Sequence, residues 1–306
     1  MEYLFKKFEE NITLKPSQKE DARTKYNDVC KTVHNRYYDA KYDGSTKLLF
    51  GSYKVKTNIR PLSKGQDVDV LIMLPGEVFD RFDAHTNNGQ AALLNEIRGI
   101  LKERFTTTEK IKAWGKVILV EFSDGHHNVE LLPAFEQEDG RFLIPNAEDG
   151  GSWNAFDPRT EVEKFNTTNN STDNALRRVV KFTKRWRNNT PSLSLASHTI
   201  QQSGILFFDA PVDTSSSFEM IRDFLIQLKT EASVDQVSHY ETALTRLERA
   251  SEYWDSGDKR SSTLELRKIF GEEFPVEARE ESKSQVSPEI TVRPKPWLKP
   301  DDSLSE

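Results

Sequence analysis

Two aspartates stand two residues apart inside an otherwise apolar run, Asp67-Val68-Asp69-Val70-Leu71-Ile72-Met73-Leu74. The β-branched residues and the Pro75-Gly76 that follows read as a strand and its end. Successive side chains of a strand point to opposite faces, so the two carboxylates share one face and Val68 and Val70 share the other. Asp is disfavoured in strands, and two like charges on one face call for cations to balance them. Oxygen-rich sites of this kind suit Mg²⁺. Two such ions roughly 3.5–4 Å apart can clamp an in-line phosphoryl displacement. The chain must therefore build a sheet with valines in a core and acid on the opposite face.

Two further pieces gain meaning from their spacing to this pair. Upstream, Leu48-Leu49-Phe50 ends at Gly51-Ser52. Glycine lets backbone approach a ligand closely, and serine offers a hydroxyl and an N–H to an anion. Downstream, Glu130 lies in Asn128-Val129-Glu130-Leu131-Leu132-Pro133, another apolar strand pattern. A neighbouring strand would bring it beside Asp67 and Asp69 as a third carboxylate. Glu121, in the segment Val117 to Phe122, competes for that role; Ser123-Asp124-Gly125 between the two segments reads as a hairpin turn.

The rest of the chain divides by pattern. Pro16-Ser17 with Glu20 is a capping-box start for an early helix, and a second helix is expected over about Gly89 to Arg104. With the strands, this predicts an α+β first half with a mixed or antiparallel sheet. After a polar stretch, Asn166 to Asp173, read as a connection, helical periodicity dominates. Leu176, Val179, Val180, Phe182 and Trp186 fall on one broad helix face. Leu195–Phe208, Phe218–Leu228 and Val237–Trp254 also read as helices, and Ser262 with Glu265 is expected to cap the start of a last one that ends near Gly271. The expected domains are 1–165, catalytic; 166–276, helical; and 277–306, a tail with four prolines, expected to be disordered when alone.

Composition narrows the function classes. The 306 residues carry 43 Lys plus Arg and 49 Asp plus Glu, a net charge of −6. Apolar runs such as Val70 to Leu74 fall far short of the ~20 residues of a membrane helix. The opening MEYLFKKFEE lacks the apolar stretch of a secretory signal. Cys30 alone excludes an internal disulfide and a cysteine-built metal centre. A cytoplasmic protein without membrane contact is expected, and the acidic balance argues against nucleic acid as a partner.

Taken together, LLFGS, a spacer, DVDVLIML and later VELLP resemble the DNA polymerase β-like nucleotidyltransferase superfamily. Within it the chain looks most like the bacterial CD-NTases, relatives of cyclic GMP–AMP synthase and the oligoadenylate synthases. Thr57 in GSYKVKT, the stretch FLIPNAEDGGSWNAFDP and the ending KIFGEEFPV support the likeness, which covers about residues 15 to 276. One departure is Glu130, where most members carry Asp. The resemblance implies a bilobal fold, with a catalytic α+β lobe and an all-helical lobe. It implies a cyclic di- or trinucleotide made from nucleoside triphosphates, with pyrophosphate released. It further implies a role in antiphage signalling, a separately encoded effector that reads the product, and an accessory protein at the C-terminal tail.

The resemblance also assigns roles. Asp67, Asp69 and Glu130 would hold two Mg²⁺ ions, for which Mn²⁺ can substitute, and Gly51 and Ser52 the terminal phosphates. The segment Arg177 to Arg187 carries six cations in eleven residues. Arg177, Lys181 and Lys184 share a face by helical spacing, which by itself reads as a solvated basic face. The family's phosphate-binding lysine precedes a Trp-bearing turn, so Lys184 in Lys-Arg-Trp fits that place first and Lys181 second. Ser197 fits the family's serine on the next helix. Trp153 and Tyr53 read as packing residues, and His126-His127 as a hairpin feature. Other readings keep the fold and change the reaction to linear transfer onto RNA or protein, or make the chain a silent nucleotide sensor.

Overall fold

The structure, a computed structural model, describes residues 1–62, 66–108, 110–124 and 126–278. The expected tail from 277 lies almost wholly outside the described residues. Among these, a mixed sheet runs in the order β1-β2-β5-β4-β3. β1 (Lys47–Leu49) lies antiparallel to β2 (Asp67–Met73), and β2 runs parallel to β5 (Asn128–Glu136). β3 (Lys110–Trp114) and β4 (Val117–Glu121) continue it antiparallel from β5. β6 (Phe142–Asn146) pairs with the C-terminal end of β5, and β7 (Ser152–Phe156) with β6. A parallel pair needs a long crossover, and α4 (Gly76–Asp83), α5 (Gly89–Arg104), β3 and β4 supply it.

One sheet face is a core. Val68, Val70 and Ile72 of β2 and Val129 and Leu131 of β5 are fully buried beneath α5 and α2 (Pro16–Tyr37). The expected cap of α2 sits two residues earlier than the sequence pattern placed it. Gln18 accepts a hydrogen bond from the Lys15 N–H at 2.9 Å, and Ser17 lies inside the helix.

The second core is helical. It gathers α1 (Glu2–Ile12), α7 (Ala175–Asn188), α8 (Ser197–Phe207), α9 (Ser217–Glu231), α10 (Val237–Asp255) and α11 (Lys259–Phe270). Leu176, Val179, Val180, Phe182 and Trp186 all bury in it, as their spacing predicts. Phe8 of α1 stacks on Phe182 at 5.1 Å and tilts against Phe270 at 5.0 Å. The first helix thus packs with the last ones and not on the sheet. Asp258 caps α11, accepting from the Ser261 N–H at 3.0 Å. Ser262, the expected cap, is buried and donates to the Ala250 carbonyl at 2.6 Å.

The polar segment 166–173 is largely helix and not a connection. α6 (Pro158–Ser171) starts at its cap Asp157 and runs through the expected boundary at 165/166. Phe165 anchors it, and Asn169, fully buried, donates to Asn174 Oδ1 and accepts from the Arg177 N–H. Asparagine satisfied in this way is compatible with burial, which composition alone does not reveal. Among the described residues no helix is long and apolar enough to cross a membrane.

Candidate active site

Strand pairing assembles the acids. With Val68 and Val70 held in the core, Asp67 and Asp69 must lie on the opposite face. The parallel register sets Asp69 opposite Glu130 and Asp67 opposite Asn128. Glu121, the competing acid, lies opposite Lys110 and pairs with it at 3.5 Å. Burial, then the Glu130 and Asp67 charges, push Asp69 up to about 7, with Lys184 acting in the other direction. Burial and then Asp67 raise Glu130; burial also raises Asp67, opposed by the Asn128 amide and reinforced by Glu121. Asp67 Oδ1 is buried without a hydrogen-bond partner among the described residues. Three mutually repelling carboxylates with an unpartnered buried oxygen are a donor set that fits a hard divalent cation.

Gly51-Ser52 closes on this cluster directly. After β1, the Phe50 N–H donates to the Asp69 carbonyl at 3.3 Å, and Gly51 takes a φ of +61°. A Cβ at Gly51 would lie 2.1 Å from Asp69 Oδ2, so both the backbone and the close approach require glycine here. Ser52 begins the short turn α3 (Gly51–Lys54), and its N–H donates to the Asp69 carboxylate.

The opposite wall comes from the helices. Lys184 of α7, 3% exposed, donates through Nζ to Ser52 Oγ at 2.7 Å and to Thr57 Oγ1 at 3.1 Å. Burial, then Arg187, bring its pKa down to about 7, with Asp69 opposing. Arg187 Nη1 donates to the Leu195 carbonyl and to Ser197 Oγ, each at 3.0 Å. Among the described residues no carboxylate lies within ion-pair distance of Lys184 or Arg187. Gln201, one turn along α8 from Ser197, donates to Ser52 Oγ at 3.1 Å and to Thr57 Oγ1 at 3.3 Å. A cavity of about 210 Å³ has Asp67, Asp69 and Glu130 on one side and Ser52, Lys184, Arg187 and Ser197 on the other. A second, of about 330 Å³, shares Ser52, Asp69 and Ser197 with it.

The structure thus brings together Gly51, Ser52, Asp67, Asp69, Glu130, Lys184 and Ser197. It does not bring Lys181 there. Lys181 pairs with Glu9 of α1 at 3.2 Å and donates to Thr13 Oγ1 at 3.1 Å. Three residues along a helix are about 60° of rotation and 4.5 Å of rise, enough to hand Lys181 to α1. Neither helix cation is solvated, since α1 and α3 cover the face that its charge alone would put in water. Arg187 and Gln201 escaped the sequence reading. Their only local signals are the i+3 step from Lys184 and the i+4 step from Ser197.

Other sequence candidates lie elsewhere. Trp153 packs on Phe79 and Phe135 and donates to Asp83 at 2.9 Å. The Tyr53 hydroxyl donates to the Lys19 carbonyl. His127 is fully buried, and neither ring nitrogen has a hydrogen-bond partner among the described residues. Asp21, Asp124 and His126 also bring three ligand atoms together. Lys25 Nζ already fills that cluster, 3.0 Å from Asp21 and 2.6 Å from Asp124.

The Second Messenger Oligonucleotide or Dinucleotide Synthetase domain matches residues 1–169. A probable cyclic nucleotide synthase of Bacillus cereus is 24% identical over 300 residues, spanning 80% of this chain and 86% of that protein. The fold is that of Vibrio cholerae DncV, a cyclic AMP-GMP synthase solved with the linear intermediate 5′-pppA(3′,5′)pG. That likeness has a TM-score of 0.67 at 14% identity over 87% of this chain and 92% of that one. Escherichia coli MS115-1 CdnC, solved in complex with HORMA-deltaN, superposes with a TM-score of 0.63 at 16% identity over 89% and 98% of the two chains.

Proposed function

Because the chain belongs to the Second Messenger Oligonucleotide or Dinucleotide Synthetase family and is a bacterial CD-NTase, a nucleotidyltransferase, we propose that it joins nucleoside triphosphates into a cyclic di- or trinucleotide. At each bond a ribose 2′- or 3′-hydroxyl oxygen attacks an α-phosphorus, the bond to the β-phosphate oxygen breaks and pyrophosphate leaves. The observation that carries this reading is one cavity with three carboxylates facing two cations, buried Lys184 and half-buried Arg187, that have no carboxylate partner among the described residues.

Asp67, Asp69 and Glu130 would hold divalent metal, Mg²⁺ in our reading with Mn²⁺ as substitute, which supplies positive charge against the α-phosphate and favours the ionised hydroxyl. Lys184 and Arg187 offer N–H donors to the phosphates; the hydroxyls of Ser52 and Thr57 fix the Lys184 ammonium, and Gln201 donates to the same two oxygens. Such positioning and charge matching is most of what phosphoryl transfer asks of a protein. On this reading a sheet-bearing lobe and a helical lobe, the latter including α1, meet across the triphosphate. The product would serve antiphage signalling in the cytoplasm through a separate effector. By analogy with the CdnC complex, an accessory protein would engage residues 277–306.

The test incubates purified protein with the four labelled nucleoside triphosphates and Mg²⁺, treats with phosphatase and separates the products. A phosphatase-resistant product, reduced more than a thousandfold in Asp69→Ala, is expected. A phosphatase-sensitive ladder indicates linear transfer instead, and an active Asp67→Ala/Asp69→Ala double variant overturns the site.

A further inference from the structure

We propose that the larger of the two adjoining cavities reads the base of one nucleotide through Glu161, and that this base is guanine. The inference rests on the nucleotidyltransferase reading above. Sharing Ser52, Asp69 and Ser197, the two cavities can hold one nucleotide between them. Their chemistries differ. Lys184 and Arg187 face the acid-side cavity, where phosphate charge is matched. The neighbouring cavity, about 330 Å³, is walled by Phe50, Phe156, Val162 and Ile205 and has neither Lys nor Arg in its lining. Apolar and aromatic walls suit a flat heterocycle and not a triphosphate.

The polar groups at this cavity decide which heterocycle fits. Glu161, in the first turn of α6, lines it, and its carboxylate has no hydrogen bond or ion pair with a described residue. Gln202 of α8 lines it too, and its amide is likewise free among the described residues. An ionised carboxylate only accepts. Guanine presents two adjacent donors on its pairing edge, N1–H and the N2 amine, which a carboxylate can accept as a bidentate pair. Adenine and cytosine offer one amine beside a ring acceptor, and the N3–H of uracil sits between two carbonyl oxygens. A carboxylate in a base pocket therefore favours guanine and opposes the other three, and Gln202 can donate to guanine O6.

An acid in a first helical turn also stabilises its helix through the dipole. That role would lower the melting temperature without changing base preference, so base preference is the readout. The test measures binding of non-hydrolysable GTP, ITP, ATP, CTP and UTP analogues to the full chain in Mg²⁺ by calorimetry. Inosine lacks only the N2 amine. The wild type should bind the guanosine analogue about tenfold or more tightly than the inosine analogue. In Glu161→Gln that preference should collapse to within about threefold, and adenosine affinity should rise or hold but not fall. Equal binding of guanosine and inosine analogues by the wild type overturns the proposal. So does a Glu161→Gln variant that keeps the full preference or weakens every analogue alike. Binding of none of the five would sink the nucleotidyltransferase reading as well, which separates the two failures.

Discussion

On the sheet, Asp67, Asp69 and Glu130 owe their positions to strand pairing, whereas Lys184, Arg187 and Gln201 owe theirs to the packing of α7 and α8 against α3. The acids alternate with Val68, Val70, Val129 and Leu131, whose burial pins the strand register. A one-residue slip would turn the carboxylates into the core. The cations have no such alternation. Lys184 reaches Ser52 and Thr57 across more than a hundred residues of sequence, and Lys181, one turn earlier, reaches Glu9 instead. The face that each acid takes is therefore specified locally, residue by residue. The helix wall is specified only once the two cores have docked.

The sharpest way to break this comparison is Lys184→Met, which keeps the stem volume and removes the buried ammonium. Product formation should fall about 10²- to 10³-fold, comparable to removing one preorganised charge-stabilising donor, while the melting temperature holds. A fall of less than threefold in the phosphatase assay would mean that the helix wall is only structural.

The sheet wall offers a pH test through the hairpin leading into β5. Burial, opposed by Asp21, brings His127 down to about 4 from an ordinary 6.5. Between those values the unfolded chain takes up a proton that the folded chain refuses. Stability is thus complete above about 6.5 and falls as the pH drops toward 4, by up to about 3 kcal/mol at 1.36 kcal/mol per unit. Urea denaturation at pH 7, 5.5 and 4.5 should show this fall, and His127→Gln should flatten that part of it. An unchanged slope in the variant would assign the acid sensitivity to other groups.

The smallest effect is expected from Lys181→Met, which sharpens the contrast between two lysines on one helix. Activity should stay within about twofold, and stability should change by no more than about 1 kcal/mol, since Glu9 remains partly hydrated. A large activity loss would join Lys181 to the catalytic wall after all.

Much of the site was legible because its signals are short in sequence. Gly51-Ser52 and the acids of β2 and β5 could be read from strand patterns and spacing. Lys184 and Ser197 needed the family resemblance, because a basic helix face says nothing by itself about what covers it. Arg187 and Gln201 were missed for the same reason. The helix over 166–173 was missed because its asparagines and threonines resemble a loop until Asn169 finds its buried partners. The cap of α11 was misplaced because Ser262 and Glu265 mimic a capping box, while Asp258 does the capping.

What the sequence determined by itself is whatever covalent geometry repeats at two or 3.6 residues. That includes the shared face of Asp67 and Asp69, the extent of α5, the apolar face of α7, and the helical character of α9 and α10. The tertiary structure decided which distant groups meet: Glu130 and not Glu121 beside Asp69, Lys184 and not Lys181 beside Ser52, and Phe8 of the first helix against Phe270 of the last. Periodicity says which way a side chain points from its own backbone. Only strand pairing and the docking of separate cores set what stands opposite, because both depend on surfaces far apart in the chain.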